Sequence, residues 1–448
     1  MPAHAMEPRY LQKILFGPPG CGKSHAVRQL AQQRLGLHGQ DDALIEATFH
    51  PEYGYGDFVA KLLPQSRIQQ QEFELSQEPD KGWNGLRLRE VHDGARIEYR
   101  IHAGPLLKAL ARAYTGDGPV LLAIDEINRG NCAQIFGDMF QLLDRDAEGW
   151  SQYAIDLSDL HRAALETELE RLGKTLADLP EKVAVSVDAK GIPRIKLRLP
   201  PQLSLIGTMN TSDESVYYMD TAFKRRWDFE HMPWQGAGDD EAMQTQRDAL
   251  LEGTPHRWVD FLSRLNSHIA ETFAGRNVDD KQIGLWFLRN NQTGRNKALT
   301  ALRESLRPLI NTELQSEWVK VFPGAENYDL GRNLKVASIS SAYKKHGADW
   351  PEADIDPTRP QRLAQTLIDS LNRQIHPVVI PREAIRNKLM FFLWDNVFSR
   401  DSEPLAELVL AQDAKAKPPR TFGDFATDDN LARMIDTLMT ATPAATQT

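Results

Sequence analysis

At 448 residues, with 41% hydrophobic and 26% charged side chains, the chain is long enough for two or three cored domains, and its composition excludes wholesale disorder. A formal net charge of −9 argues against a protein that coats nucleic acid by charge alone, while leaving room for a local basic groove. Two cysteines, Cys21 and Cys132, make no disulfide framework, the first residues carry no apolar signal segment, and the late apolar run 389–394 is too short to cross a bilayer, so a cytoplasmic protein is expected.

The elements are taken in chain order. Residues 14–16 (ILF) read as a strand, GPPGCGKS (17–24) follows, and a helix is expected over 24–34 with Ala26, Val27, Leu30 and Ala31 on one buried face. So little chain precedes the first strand that no recognition domain is expected ahead of it. A second strand is expected over 43–49. Residues 64–102 are polar, with 69–72 and 78–81 marking a surface excursion. A helix over 106–114 leads through TGDGP (115–119) into the apolar strand 120–124, which ends in Asp125-Glu126.

Between 150 and 200 lies an insertion with an amphipathic helix over 159–179 and a strand pair. The second strand, RIKLRL (194–199), alternates basic and apolar side chains. It reads either as a half-buried strand with a solvated face or as a hairpin presenting Arg194, Lys196 and Arg198 to a pore, a partner or nucleic acid. A strand over 203–208 ends at Met209-Asn210-Thr211, and a helix over 218–224 precedes Arg225-Arg226. The pattern is helical from 240 to about 322, mixed over 330–400 with its clearest helix at 361–375, and ends in a linker (414–420) and a frayed tail (440–448).

Strands alternating with helices, with chemically loaded residues at strand ends, imply an α/β fold with a parallel sheet and a ligand at its carboxyl edge. The expected domains are an α/β core over 1–235 carrying the insertion, a helical lid over 236–325 and a partly helical C-terminal extension over 326–448.

Two motifs carry the chemistry. In Gly17-Pro18-Pro19-Gly20-Cys21-Gly22, glycines let backbone N–H groups turn inward around phosphates, and the helix start adds its positive dipole end. Lys23 is placed to reach the β- and γ-phosphates and Ser24 to ligate Mg²⁺. Asp125 is the expected Mg²⁺ carboxylate, bound directly or through water, and Glu126 beside it can polarise the attacking water. Asn210 either ends a strand between the two motif strands, where a neutral amide can hydrogen-bond the γ-phosphate and the water, or forms a turn. Arg225 and Arg226 are either a surface basic pair or an arginine finger for a neighbouring subunit's nucleotide.

These residues resemble the AAA+ family, and within it the McrB branch, the GTPase motors of modification-dependent restriction systems. Residues 49–58 (FHPEYGYGDF) resemble that branch's FHxxYxYEDF, residues 125–131 (DEINRGN) its DEINRAN, and residues 206–213 (IGTMNTSD) its IGTMNTAD. Residues 220–227 (DTAFKRRW) are similar to its DxALRRRF box, and 282–287 (QIGLWF) more weakly to the lid's IGHSYF. Several motifs occur in order over roughly residues 10–325.

The resemblance implies a AAA+ P-loop core with a small helical lid. It makes Asn210 a sensor of the γ-phosphate, Asp213 the acidic nucleotide-binding member of the NTxD motif, and Arg225 and Arg226 the finger candidates. It further implies Mg²⁺, GTP with ATP as the alternative, a hexameric ring, a McrC-like nuclease partner, and DNA met indirectly or through the ring, with no membrane. Three departures stand out: no DNA-reading domain is expected ahead of the motor, Glu214 stands where an Arg commonly follows NTxD, and the 150–200 insertion and the extension after 330 are long. A MoxR- or dynein-like ATPase that remodels proteins is the second reading. A nucleotide-gated scaffold is the third, disfavoured by an intact Glu126.

Overall fold

The most apolar run of the chain, VLLAID, becomes the centre of a parallel sheet, buried along its length until Asp125. A continuous rather than alternating apolar run is what a strand covered on both faces requires. The structure, a computed structural model, describes residues 10–38, 42–67, 72–77, 86–91, 96–116, 118–189, 191–210, 217–238, 240–273, 278, 281–291, 378–399, 401–410 and 418–440. The chain divides into two units, one of Met1–Gly17 and Lys23–Met232, the other of Pro18–Gly22 and Pro233–Thr448. The sequence-expected helix at 361–375 and most of the tail lie outside the described residues.

In the first unit the central strands are β1 (Gln12–Phe16), β2 (Leu44–Thr48), β3 (Val120–Asp125), β4 (Leu203–Met209) and β5 (Asp228–His231). They lie in the order β5-β1-β4-β3-β2, and every pairing is parallel. The chain leaves β1 toward one edge, at β2, and leaves β4 toward the other, at β5. The crevice beside the carboxyl ends of β1 and β4 is therefore the switch point where ligands of such sheets bind.

Helices α1 (Lys23–Leu35) and α2 (Pro105–Thr115) belong to this unit. Proline at the first position of α2 suits a residue without an N–H, and Leu106, Leu107, Leu110 and Tyr114 form its buried face. Short α3 (Cys132–Phe136) is capped by Asn131, whose side chain accepts from Gln134 N–H at 3.2 Å.

Two helix bounds change, and two other expectations are filled in. The surface excursion includes antiparallel ribbons: Ala60–Arg67 pairs with Arg96–Ala103, and Glu72–Gln77 with Leu86–Val91. The helix of the insertion, α4 (Asp159–Arg171), stops well short of 179, because Gly173 takes the left-handed conformation (φ +70) that ends helices. The helix before the arginines, α5 (Thr221–Lys224), starts only after Asp220, whose carboxylate accepts from Phe223 N–H at 2.6 Å. In the strand Pro193–Leu197, Ile195 and Leu197 are buried, as in a half-buried strand. Arg194 pairs with Asp188, and Arg198 donates to the carbonyls of Ser151 and Gln152.

The second unit has its own core. Here α6 (Glu241–Asp248) and α7 (Trp258–Thr272) pack Met243, Trp258, Phe261, Leu262 and Leu265 with Leu389, Leu393, Leu431 and Met434 from later segments. Among the described residues no helix is long and apolar enough to cross a membrane.

Candidate nucleotide site

The parallel register sets three strand ends side by side. Phe16 of β1 pairs with Met209 of β4, and Gly207 of β4 pairs with Ile124 of β3. Lys23 follows the first strand by one loop, Asn210 follows the second, and Glu126 follows the third.

These side chains are joined. Lys23 is only 8% exposed, so its ammonium must find acceptors inside. It donates to the Gly17 carbonyl at 2.9 Å and to Asn210 Oδ1 at 2.6 Å. Asn210 in turn donates from Nδ2 to Glu126 Oε1 at 2.6 Å. Its orientation is fixed by chemistry, since the amide oxygen must face the cation and the amide N–H the carboxylate. One neutral residue thus links the lysine of the first motif to the glutamate of the second.

Glu126 is held from several sides. Its backbone is left-handed (φ 55, ψ 44), which costs a non-glycine residue about 1–2 kcal/mol. The Thr208 hydroxyl stabilises this turn by accepting from Glu126 N–H at 3.2 Å while donating its own proton to Asp125 Oδ1. Arg129 Nε lies 3.3 Å from Glu126 Oε2. Asn128, buried, donates to the Asn210 carbonyl at 2.6 Å and fixes the end of β4.

A cleft of about 150 Å³ opens beside Asp125 in this unit, lined by Ser24, Asp125 and Thr208 among others. Ser24 and Asp125 thus line one space, and a hydroxyl with a carboxylate is an oxygen-only donor set of the kind Mg²⁺ takes. Gly20 and Gly22 take φ of +79 and +93, the left-handed turns a phosphate loop needs. Asp213 lies outside the described residues.

The two arginines differ. Arg226 is 7% exposed at its side chain. It donates from Nε and Nη2 to Asp144 Oδ2 (3.0 and 2.6 Å) and from Nη1 to the Ala222 carbonyl, and its guanidinium sits 3.9 Å from the Phe140 ring centroid. Arg225 is exposed and lines a polar cleft of about 440 Å³ with Lys13, Arg34, Asp144 and Asp228.

Residues 49–58 serve the fold around the site. Phe49 packs on Tyr53, Phe58 and Phe136, and its N–H donates to the Asp125 carbonyl at 3.0 Å. The Lys61 ammonium at 2.5 Å holds the Asp57 carboxyl below the usual carboxylate range. Burial pushes the Cys132 thiol up to about 12. Thr208, Asn128 and Arg129 carry no assigned role in the sequence reading; the only sequence signal for Thr208 is its place two residues before Asn210, at a strand end.

No protein-family model matches the chain. It is 29% identical over 335 residues to the type II restriction enzyme BsuMI component YdiS of Bacillus subtilis (strain 168), covering 70% of this chain and 86% of that protein. It is 25% identical over 216 residues to the type IV methyl-directed restriction enzyme EcoKMcrB subunit of Escherichia coli (strain K12). These two likenesses support an McrB-like restriction-system AAA+ protein. This second match covers 48% of the chain and 34% of the subunit's length. A solved structure from Cytophaga hutchinsonii ATCC 33406, named for an ATPase, is 12% identical over 82% of this chain and 85% of that one; its TM-score of 0.24 carries no structural argument.

Proposed function

We propose that the chain hydrolyses a nucleoside triphosphate and serves as the ring-forming motor of a McrBC-like restriction or anti-phage defence complex. The observation that carries this reading is the Asn210 amide, bonded at one end to Lys23 and at the other to Glu126. A cation for phosphate oxygens and a carboxylate for water then stand one residue apart.

Lys23 binds β- and γ-phosphate oxygens in place of the Asn210 amide oxygen. Ser24 and Asp125 would hold Mg²⁺, which would supply positive charge to offset that of the phosphate oxygens. Glu126 takes a proton from water as the water oxygen bonds to the γ-phosphorus. The bond from that phosphorus to the bridging oxygen breaks, leaving nucleoside diphosphate and phosphate. Asn210 holds the water and the γ-phosphate in line. Arg225, the exposed arginine, is the finger for a neighbouring subunit's nucleotide in a hexameric ring, and Arg226 positions it from the Asp144 pair.

The likeness to two restriction-enzyme components supports a McrC-like nuclease as partner, with DNA met indirectly or through the ring. GTP as the preferred substrate, read in part by Asp213, rests on the resemblance to the McrB branch, with ATP as the alternative.

The test is turnover of GTP and ATP side by side, with and without a McrC-like nuclease. Lys23→Ala is expected to abolish nucleotide binding. Glu126→Gln is expected to bind normally and to slow turnover about a hundredfold or more. No turnover of either nucleotide by the wild type would sink the hydrolytic reading, and unchanged turnover in Glu126→Gln would remove Glu126 as the base. Strict ATP use stimulated by a protein substrate, indifferent to DNA and nuclease, would move it to a remodelling ATPase.

A further inference from the structure

The crown of the phosphate loop, Pro18–Gly22, belongs to the second unit, together with a segment some 260 residues later in the chain. Residues 283–287 (IGLWF) run alongside it. Gly284 N–H donates to the Pro19 carbonyl at 2.9 Å, and Trp286 N–H donates to the Gly20 carbonyl at 2.7 Å. The approach is as close as backbone allows in both directions. A Cβ on Gly284 would lie 2.1 Å from Cys21 N and from the Gly20 carbonyl carbon, and a Cβ on Gly20 would lie 2.4 Å from Phe287 N.

The segment is itself fixed from behind by three side chains that are almost fully buried, Gln246, Trp258 and Asn266. Asn266 makes a two-way pair with Ile283, accepting its N–H at 2.8 Å and donating to its carbonyl at 3.0 Å. The Leu285 carbonyl accepts from Trp258 Nε1 at 2.8 Å and from Gln246 Nε2 at 3.0 Å. Gln246 also donates to the Leu288 carbonyl and accepts from Asn290 N–H. Buried amides and indoles are costly unless bonded, and here their bonds all go to one stretch of backbone.

We propose that residues 283–287 are a strap that sets the phosphate loop in its binding-competent shape, with Gly284 as the positioning residue and Asn266, Gln246 and Trp258 as its anchors. A phosphate loop works by turning its N–H groups inward, which leaves its carbonyls facing outward and in need of donors. The strap supplies donors to two of them. Nucleotide affinity is then set partly by residues that touch no nucleotide. The inference rests on the loop binding nucleotide, as proposed above.

Coupling of this kind is reciprocal: if the strap favours a loop that binds, bound nucleotide must favour the strap. The test uses the full chain, a fluorescent GTP analogue and its ATP counterpart, and Mg²⁺. Gly284→Ala is expected to bind about tenfold or more weakly, since it displaces two backbone hydrogen bonds. Gly118→Ala, where a Cβ meets nothing within 4 Å, is expected to bind as the wild type does. In the unaltered protein, saturating nucleotide is expected to slow hydrogen exchange at the Gly284 and Trp286 amides, a readout that survives if the variant fails to fold. Affinity of folded Gly284→Ala within twofold of wild type, or exchange at both amides unmoved by nucleotide, overturns the strap. Lys23→Ala separates the two claims: if it binds as wild type does, the nucleotide site itself is wrong, whereas its loss of binding beside an unaffected Gly284→Ala sinks the strap alone.

Discussion

Two sets of bonded polar side chains do opposite jobs in this protein. At the carboxyl edge of the sheet, Lys23, Asn210 and Glu126 are bonded side chain to side chain. In the second unit, Gln246 and Asn266 and the Trp258 indole are bonded to backbone. Phosphate oxygens or water can replace a side-chain partner without loss of the fold, so the first set is exchangeable. Backbone partners cannot be replaced unless the segment unravels, so the second set is fixed. The chain puts its movable polar contacts where substrate arrives and its immovable ones where geometry must be kept.

The comparison breaks most visibly at the anchors. Asn266→Leu leaves the Ile283 N–H and carbonyl buried without partners, and a loss of about 2–4 kcal/mol is expected in urea unfolding. The arginine pair gives a smaller contrast. Arg226→Ala strands the half-buried Asp144 carboxylate and is expected to cost about 2 kcal/mol, while Arg225→Ala stays within about 0.5 kcal/mol. Equal stability in the two variants would mean the Asp144 pair does not hold the fold.

A pH effect sits lower still. The Asp57 carboxyl is held below its ordinary value by Lys61, so its contribution is present above the unfolded value and disappears as pH falls through the folded one. Stability of Asp57→Asn should accordingly approach that of wild type in acid and fall behind it at neutral pH. A constant gap across that range would exclude the linkage. Smallest is the thiol: with Cys132 buried and pushed up to about 12, alkylation of the native protein at pH 8 should be far slower than that of a free thiol.

The parallel sheet was legible because its strands are apolar runs of the right length bounded by turn residues, and the phosphate loop because glycines, Lys23 and Ser24 stand in fixed positions. Adjacency was not. That Asn210 lies between Lys23 and Glu126 depends on β4 pairing with both β1 and β3, and strand neighbours are a property of the whole sheet. Within the surface excursion the ribbons themselves go unread, because overall polarity masks segments such as Arg96-Ile97-Glu98-Tyr99-Arg100-Ile101 that alternate with the period of a strand. The helix expected from 218 starts too early because apolar Tyr218 and Met219 fit a helical pattern, whereas Asp220 caps the helix after them. Nothing local marks residues 283–287 as neighbours of a loop near the start of the chain. Only Gly284, in an otherwise apolar stretch, hinted at a close backbone approach.

The central claim is that one amide joins phosphate binding to water activation, and Asn210→Ala tests it most directly. Nucleotide affinity and single-turnover hydrolysis should be measured on the same preparation. The account predicts affinity within a few-fold of wild type and hydrolysis slowed about a hundredfold, the loss expected when a positioning group leaves the reacting centre. Wild-type hydrolysis by Asn210→Ala, under conditions where Glu126→Gln is inactive, would contradict it.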